Sequence, residues 1–369
     1  MDAPESQHRK SISILITLIT ALLGGLVFQL VHIPLPWMLG PMLFVLIGST
    51  LCKGRYAWSG RIRNTGMIIV GYTIGLSMTG AALREMSHQL GYMLLMTVLL
   101  LLLCAGIAFI VSKLSNTDYK TALLGSIPGG LTQVVTLAEE TEGVNLTIVT
   151  VTQVIRLMMI IICVPLLVFS PILGEVKDLG AASTLVSTTS PSWGAMFPNI
   201  MIFAAVSVIC ALAGNRIKFP TAFLLGPAIG TAILQIIGMQ GPSLPSIFIN
   251  AAQMMIGTYV GLMLKPGQLS NKVRTIALAI GSGILLIIGA LGLSILLTQL
   301  QPVTASTALL SLAPGGMDQM GIMAHEIHAD LSMVAGYQLF RTFFIFFAIP
   351  PLLRMLFKLT FREKERSSR

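Results

Sequence analysis

The chain has 369 residues, of which 54% are hydrophobic and 10% are charged, and its net charge is +9. A soluble domain carries about 25% charged residues, so the composition excludes an ordinary soluble protein, and apolar runs of about 18 residues or more predict membrane helices. Cytoplasmic loops of membrane proteins collect Lys and Arg, so the positive charge does not indicate a nucleic-acid partner. The four cysteines lack CxxC spacing, which predicts neither a disulfide framework nor a metal site.

In chain order, the apolar runs form two sets of five. They lie at about 12–31, 34–52, 64–80, 89–111 and 145–169, and then at about 195–213, 219–238, 247–264, 273–299 and 331–357. A broken segment precedes the last run of each set, at 119–140 and 304–326. This pattern predicts a first membrane repeat over 12–169, a linker over 170–194, a second membrane repeat over 195–357 and a basic tail over 358–369.

The two sets are copies of one sequence. The matches at a shift of 186 positions include Leu39-Gly40-Pro41 with Leu225-Gly226-Pro227, Gly71 with Gly257, Gly75 with Gly261, and Pro128-Gly129-Gly130 with Pro314-Gly315-Gly316. The matches at a shift of 185 include Gln153 with Gln338 and Arg156 with Arg341. A register held over most of each repeat indicates an internal duplication. The glycines four positions apart also predict close helix packing.

The basic residues indicate how the two repeats are oriented. We place the N-terminus inside and let each broken segment enter and leave the membrane on one side. Nearly all basic residues outside the spans, Arg63 among them, then lie on the cytoplasmic side, and only Arg84 and Lys177 lie outside. The sequence therefore predicts an all-α polytopic membrane protein with about ten transmembrane helices, in two inverted five-span repeats with cytoplasmic termini.

Each broken segment predicts a re-entrant hairpin. Pro interrupts the helical hydrogen-bond ladder and Gly accepts positive φ, and non-helical backbone at membrane depth is tolerated where it is buried or lines a cavity. The half-helix after the break directs free N–H groups inward and forms an anion site. The predicted solute-binding residues of the two hairpins are Pro128, Gly129, Gly130, Gln133, Pro314, Gly315, Gly316 and Gln319. The alternative is that the hairpins only pack.

One arginine lies in the fifth run of each repeat, close to the predicted midplane. Arg156 and Arg341 are costly there and are predicted functional residues, since a planar guanidinium can bind a carboxylate or phosphate bidentately. Two other roles stay open, which are an ion pair with Glu140 or Glu326 and a cap on the hairpin carbonyls. Gln153 and Gln338 lie three residues earlier on the same helix faces and are predicted to share the ligand.

The predicted coupling residues are Glu140, Asp318 and Glu326. Carboxylates near a cavity mouth can couple H+ or Na+ movement to transport, although a solvated loop would also explain Glu140 and Glu326. Asp318 has Thr132 at the matching position of the first repeat, and this asymmetry favours a cation or proton site. His325 and His328 lack the spacing of a zinc-binding helix, so no metal is predicted there.

At these motifs the chain resembles the AbrB-type membrane proteins, a bacterial family built from two copies of one membrane domain. The Leu-Gly-Pro, Pro-Gly-Gly and Gln-x-x-Arg motifs, each present twice in the same order, support the resemblance over about 12–357. It implies a multi-pass protein of the bacterial plasma membrane. The family has been labelled both an ammonia monooxygenase and a regulator of gene expression. The architecture is similar to that of sodium-coupled citrate and glutamate carriers, which is an analogy of fold.

These observations predict a secondary transporter of a small anionic or zwitterionic solute, coupled to H+ or Na+ and moving one bundle against another. No catalytic residue is predicted, and no cofactor beyond the coupling ion. The expected partners are the solute and the lipid bilayer, with a homodimer as a further option. The alternatives are a monooxygenase-like membrane enzyme, which would need a cluster of metal ligands, and a membrane protein that regulates gene expression indirectly.

Overall fold

The structure is a computed structural model. It describes residues 3–33, 35–52, 54–115, 117–128, 134, 138, 141, 143–170, 199–217, 219, 221–263, 273–345 and 347–348. Of the predicted site residues, Gly129, Gly130, Gln133 and Glu140 lie outside these ranges, as do most of the predicted linker and the whole basic tail.

The described residues form helices and no strand. The helices of the first half are α1 (Ala3–Leu30), α2 (Pro36–Leu51), α3 (Gly60–Ser77), α4 (Gly80–Ser115), α5 (Tyr119–Ser126) and α6 (Leu146–Val168). Those of the second half are α7 (Asn199–Arg216), α8 (Ala222–Ile236), α9 (Ser246–Met263), α10 (Val273–Leu300), α11 (Ala305–Leu312) and α12 (Met317–Glu326), followed by α13 over 331–345. The all-α class is confirmed.

Helix length and surface both fit a lipid environment. Six of the helices in the described residues are long and apolar enough to cross a membrane, which are α1, α4, α6, α7, α9 and α10. The helices α2 and α8 are apolar but shorter. Large apolar side chains lie exposed on the outer helices, for example Leu102 at 62%, Ile209 at 63% and Ile288 at 58%. Soluble monomers rarely expose contiguous apolar surface on this scale. The prediction of a polytopic membrane protein is confirmed.

The duplication extends to the helix boundaries. α3 and α9 begin and end 186 positions apart, and so do α5 and α11. The contacts between the halves are reciprocal as well. A Cβ at Gly71 would come closer than 3.0 Å to the carbonyl of Leu224, and a Cβ at Gly257 would meet the carbonyl of Met38 in the same way. Since Leu224 and Met38 are themselves 186 positions apart, the two halves pack with pseudo-two-fold symmetry.

Equivalent helices run in opposite directions. Near the start of α3, Arg63 lies 4.6 Å from the ring centre of Tyr259, which is near the end of α9. Near the end of α3, Thr73 shares a small cavity with Ile249, which is near the start of α9. α3 and α9 are therefore antiparallel. A two-fold operation that reverses a membrane-spanning helix inverts the whole repeat, as predicted.

The broken segments return to the side on which they begin. At about 1.5 Å per residue, the 8 residues of α11 and the 10 of α12 span about 12 and 15 Å, well short of a bilayer core of about 30 Å. After the break, the N–H of Asp330 donates to Oγ1 of Thr307, in the first turn of α11, at 3.3 Å. The equivalent bond joins the N–H of Asn145 to Oγ1 of Thr121, in α5, at 3.0 Å. Both hairpins are re-entrant.

Candidate functional site

The end of the first hairpin helix is held by two side chains from the middle of α6. Nη1 of Arg156 donates to the carbonyls of Ser126 at 3.0 Å and Ile127 at 2.9 Å. Nε2 of Gln153 donates to the carbonyls of Leu124 at 2.7 Å and Ile127 at 3.1 Å. The last carbonyls of a helix have no partner within it, and a positive charge is favourable at this end of the helix dipole. Arg156 and Gln153 therefore cap α5.

The second hairpin repeats this arrangement. Arg341 donates to the carbonyls of Leu312 at 3.2 Å, Ala313 at 2.9 Å and Gly315 at 3.1 Å. Nε2 of Gln338 donates to the carbonyls of Leu310 at 2.8 Å and Ala313 at 3.2 Å. In each half the glutamine oxygen also accepts from its arginine. The Gln-x-x-Arg motif is thus one capping unit, used twice.

Of the three roles considered for Arg156 and Arg341, the hydrogen bonds above correspond to a cap on the hairpin carbonyls. Within the described part of the chain, neither guanidinium has a carboxylate within 4.0 Å. Glu326 instead accepts from Nε2 of Gln253 at 2.9 Å, and Glu140 lies outside the described residues. A direct role of Arg156 and Arg341 as solute ligands stays a prediction, as does that of Gln153 and Gln338.

The two arginines place net positive charge in the interior. Both side chains are 5% exposed, and the two guanidiniums are near enough to act on each other electrostatically. Nε of Arg156 is buried and has no hydrogen-bond partner. A guanidinium stays charged even when buried. A pair of buried cations that no described carboxylate neutralises creates a potential that favours an anion.

The tip of the second hairpin gathers oxygen atoms at the start of α12. Gly316 precedes the helix and offers no side-chain cap, and a Cβ there would collide with Oε1 of Gln319 and with Oδ1 of Asp318. Gln319 is 3% exposed, and its Oε1 has no partner, while its Nε2 donates to Oδ2 of Asp318 at 3.0 Å. Two acceptor oxygens that meet at one point are suited to a proton or a small cation. Pro314 is buried beside this break.

Arg63 joins this site, which the sequence did not reveal. Its guanidinium lies in electrostatic range of the Asp318 carboxylate, and its Nε is buried without a partner. The sequence placed Arg63 only among the cytoplasmic basic residues. Comparison of the copies could have found it, because Ile249 stands at the matching position, as Thr132 matches Asp318. At both positions only one copy is charged, and the two charged residues lie within electrostatic range of each other.

Metal ligands do not gather elsewhere in the described chain. Across its residues, no three His, Cys, Asp or Glu side chains lie close enough to hold a metal ion. A copper or iron oxygenase would need such a cluster.

Comparison with known proteins gives a family match and two similar proteins. A family model described as "Transition state regulatory protein AbrB" matches residues 37–357. A Bacillus subtilis (strain 168) protein named "Uncharacterized protein YhjN" is 25% identical over 367 residues, 94% of this chain and 93% of its own length. An Escherichia coli (strain K12) protein named "Putative regulator AbrB" is 25% identical over 342 residues, 92% of this chain and 94% of its own length.

Proposed function

The chain belongs to the AbrB family, and from this premise we propose that it is a secondary transporter of a small anionic or zwitterionic solute, coupled to H+ or Na+. The observation that carries the proposal is the pair of re-entrant hairpins in inverted repeats, each capped by an arginine of a membrane helix. Broken helices at matched positions of inverted repeats are where transporters bind substrate and coupling ion. One repeat can then rock against the other around that site.

Charge supports an anionic group on the solute. Arg156 and Arg341 are buried without a carboxylate partner among the described residues. A buried guanidinium favours negative charge nearby. An entering carboxylate would compensate charge that is otherwise costly at this depth.

The neighbouring Asp318 and Arg63 support coupling to a cation. While the Asp318 carboxylate is ionised it attracts Arg63. A proton or Na+ on that carboxylate would cancel its negative charge and so favour the entry of a solute anion. Cation and anion would then bind together, as cotransport requires. Glu326, which is exposed and bonded to Gln253, and Glu140 are the remaining coupling candidates.

The membrane location is the other part of the proposal. We place the protein in the bacterial plasma membrane with both termini cytoplasmic, because this orientation puts nearly all basic residues outside the spans on the cytoplasmic side. The solute and the bilayer are its proposed partners, and a homodimer is compatible with the exposed apolar helix faces.

Flux measurements test the proposal. The purified protein is reconstituted into liposomes and offered a panel of labelled carboxylic acids and amino acids under an imposed pH or Na+ gradient. We expect at least one acid or amino acid to accumulate in a gradient-dependent manner, and protein-free liposomes are the control. Folded protein that moves no member of the panel under either gradient would overturn the proposal.

A further inference from the structure

A small cavity lies beside the first hairpin, between α4, α5, α6 and α10. Its volume is about 20 Å³, enough for one water molecule or a few ligand atoms. Much of its wall is formed by hydroxyl-bearing residues, which are Ser115, Thr117, Thr121, Ser126, Thr152 and Ser282. The cavity therefore offers hydrogen-bonding groups inside a membrane protein, where polar groups without partners are costly.

Three of these hydroxyls are available to a ligand. Ser115 donates to the carbonyl of Val111 at 2.6 Å, and Ser282 to that of Ala279 at 2.9 Å. The hydroxyls of Thr117, Ser126 and Thr152 have no hydrogen-bond partner among the described residues. Ser126 is only 6% exposed. A buried hydroxyl without a protein partner is a group that a ligand can satisfy.

A positive charge stands directly behind one wall of the cavity. Gly125 and Ser126 line the cavity, and their carbonyls accept from Nη1 of Arg156 at 3.3 and 3.0 Å. Hydroxyl donors next to a buried guanidinium are suited to an anion rather than to a cation. Two hydroxyl donors can each donate to one oxygen of an oxyanion such as a carboxylate.

At the equivalent place in the second half, large buried side chains of the described residues fill the space. At the matching shifts, Leu312 stands for Ser126, Tyr337 for Thr152 and Met96 for Ser282. These three side chains are at most 3% exposed and belong to one core cluster. The same fold can therefore fill this space with side chains. Since protein interiors are normally packed to crystal-like density, the cavity in the first repeat is a departure from normal packing. Among the described residues, the hydroxyl-lined cavity lies in the first repeat.

We propose that this cavity of the first repeat binds the carboxylate or another small oxyanion group of the transported solute. The hydroxyls of Ser126 and Thr152 donate to its oxygens, and Arg156 supplies the compensating charge. The inference rests on the proposed transport function, since it names the group that the site recognises. The anionic group of the solute would then bind in the first repeat. Asp318 lies at the tip of the second hairpin, with Arg63 in electrostatic range.

Binding of acetate by the purified protein in detergent tests the site apart from transport. Saturation-transfer NMR with acetate, against chloride at equal ionic strength, is expected to show saturable binding to the unmodified protein. Thr152→Val keeps the volume and removes the hydroxyl, so affinity should fall about tenfold. Thr152→Tyr places the side chain of the second repeat in the cavity and should abolish binding. Thr152→Ser should bind as before.

Tyr337→Phe is the matched control, because it alters the equivalent position outside the cavity and should leave acetate binding unchanged. If Thr152→Tyr does not fold, Thr152→Val and Thr152→Ser decide the question. Absence of saturable binding, or unchanged affinity in Thr152→Val, would overturn the site. Flux of the same proteins separates the two proposals. Transport that is insensitive to Thr152→Val refutes the site alone, whereas hydroxyl-dependent binding without any flux refutes the transporter.

Discussion

Arg156 donates to Oε1 of Gln153, one turn earlier on α6, at 2.5 Å. This bond orients the glutamine so that its Nε2 meets the carbonyls of Leu124 and Ile127. Both side chains are buried, and together they close the open end of the hairpin helix. The pair is therefore a structural device as well as a source of charge, and the two effects can be separated by substitution.

Gln153→Leu keeps the charge of Arg156 and removes both bonds to the hairpin. The carbonyl of Leu124 then loses its donor, while that of Ile127 keeps its bond from Arg156. A buried acceptor left without a donor costs about 1–3 kcal/mol, so we expect a loss of stability of that size. Unfolding in mild detergent measures it. Gln29→Leu, on an exposed position of α1, is the control and should change stability by less than about 0.5 kcal/mol. Equal effects of the two substitutions would contradict the capping role.

Gly71→Ala tests the helix crossing between the halves. A Cβ at this position would press on the carbonyl of Leu224, and such overpacking costs about 1–3 kcal/mol. Gly257→Ala should cost a similar amount because its contact is the symmetric one. In Gly106→Ala the new methyl meets nothing within 4 Å, so that variant should match or slightly exceed the original stability. Unchanged stability of the Gly71→Ala variant would argue against this packing.

Inverted repeats predict that equivalent positions lie on opposite sides of the membrane. Gly60 and Ser246 are the first residues of α3 and α9, and both are exposed. In a chain whose four cysteines are replaced, we introduce Gly60→Cys or Ser246→Cys and apply a membrane-impermeant maleimide to intact cells. Ser246→Cys should react at once and Gly60→Cys only after permeabilisation, since arginines flank Gly60. Labelling of both from one side would rule out the inversion.

Asp318→Asn removes the ionisable group at the tip of the second hairpin. We expect the variant still to exchange solute across the membrane. The H+ or Na+ gradient should no longer drive accumulation of the solute above its external concentration. Asp118→Asn neutralises an exposed carboxylate that caps α5. Since Asn caps helices as well as Asp, gradient-driven flux should survive that change. If both variants still accumulate solute, another group performs the coupling.

The hairpins show how far the sequence reaches into the site. Pro128 and Pro314, followed by glycines, predict the breaks because helix termination is a local property of the backbone. The sequence also selects Arg156 and Arg341, since an arginine within an apolar run is costly wherever it points. It left three roles open for them, because the choice depends on which groups the fold brings near each guanidinium.

The amino-acid sequence by itself determined the membrane class, the duplication and the positions of the breaks, because hydropathy, register and helix breaking depend on residues near one another in the chain. Only the tertiary structure decided that Arg156 bonds to the carbonyl of Ser126, 30 positions away, and that Arg63 lies within electrostatic range of Asp318. The tertiary structure also shows a cavity beside Thr152 in the first repeat, where Tyr337 fills the equivalent space in the second. These relationships join distant segments through helix packing, and their energies depend on contacts that a linear pattern does not contain.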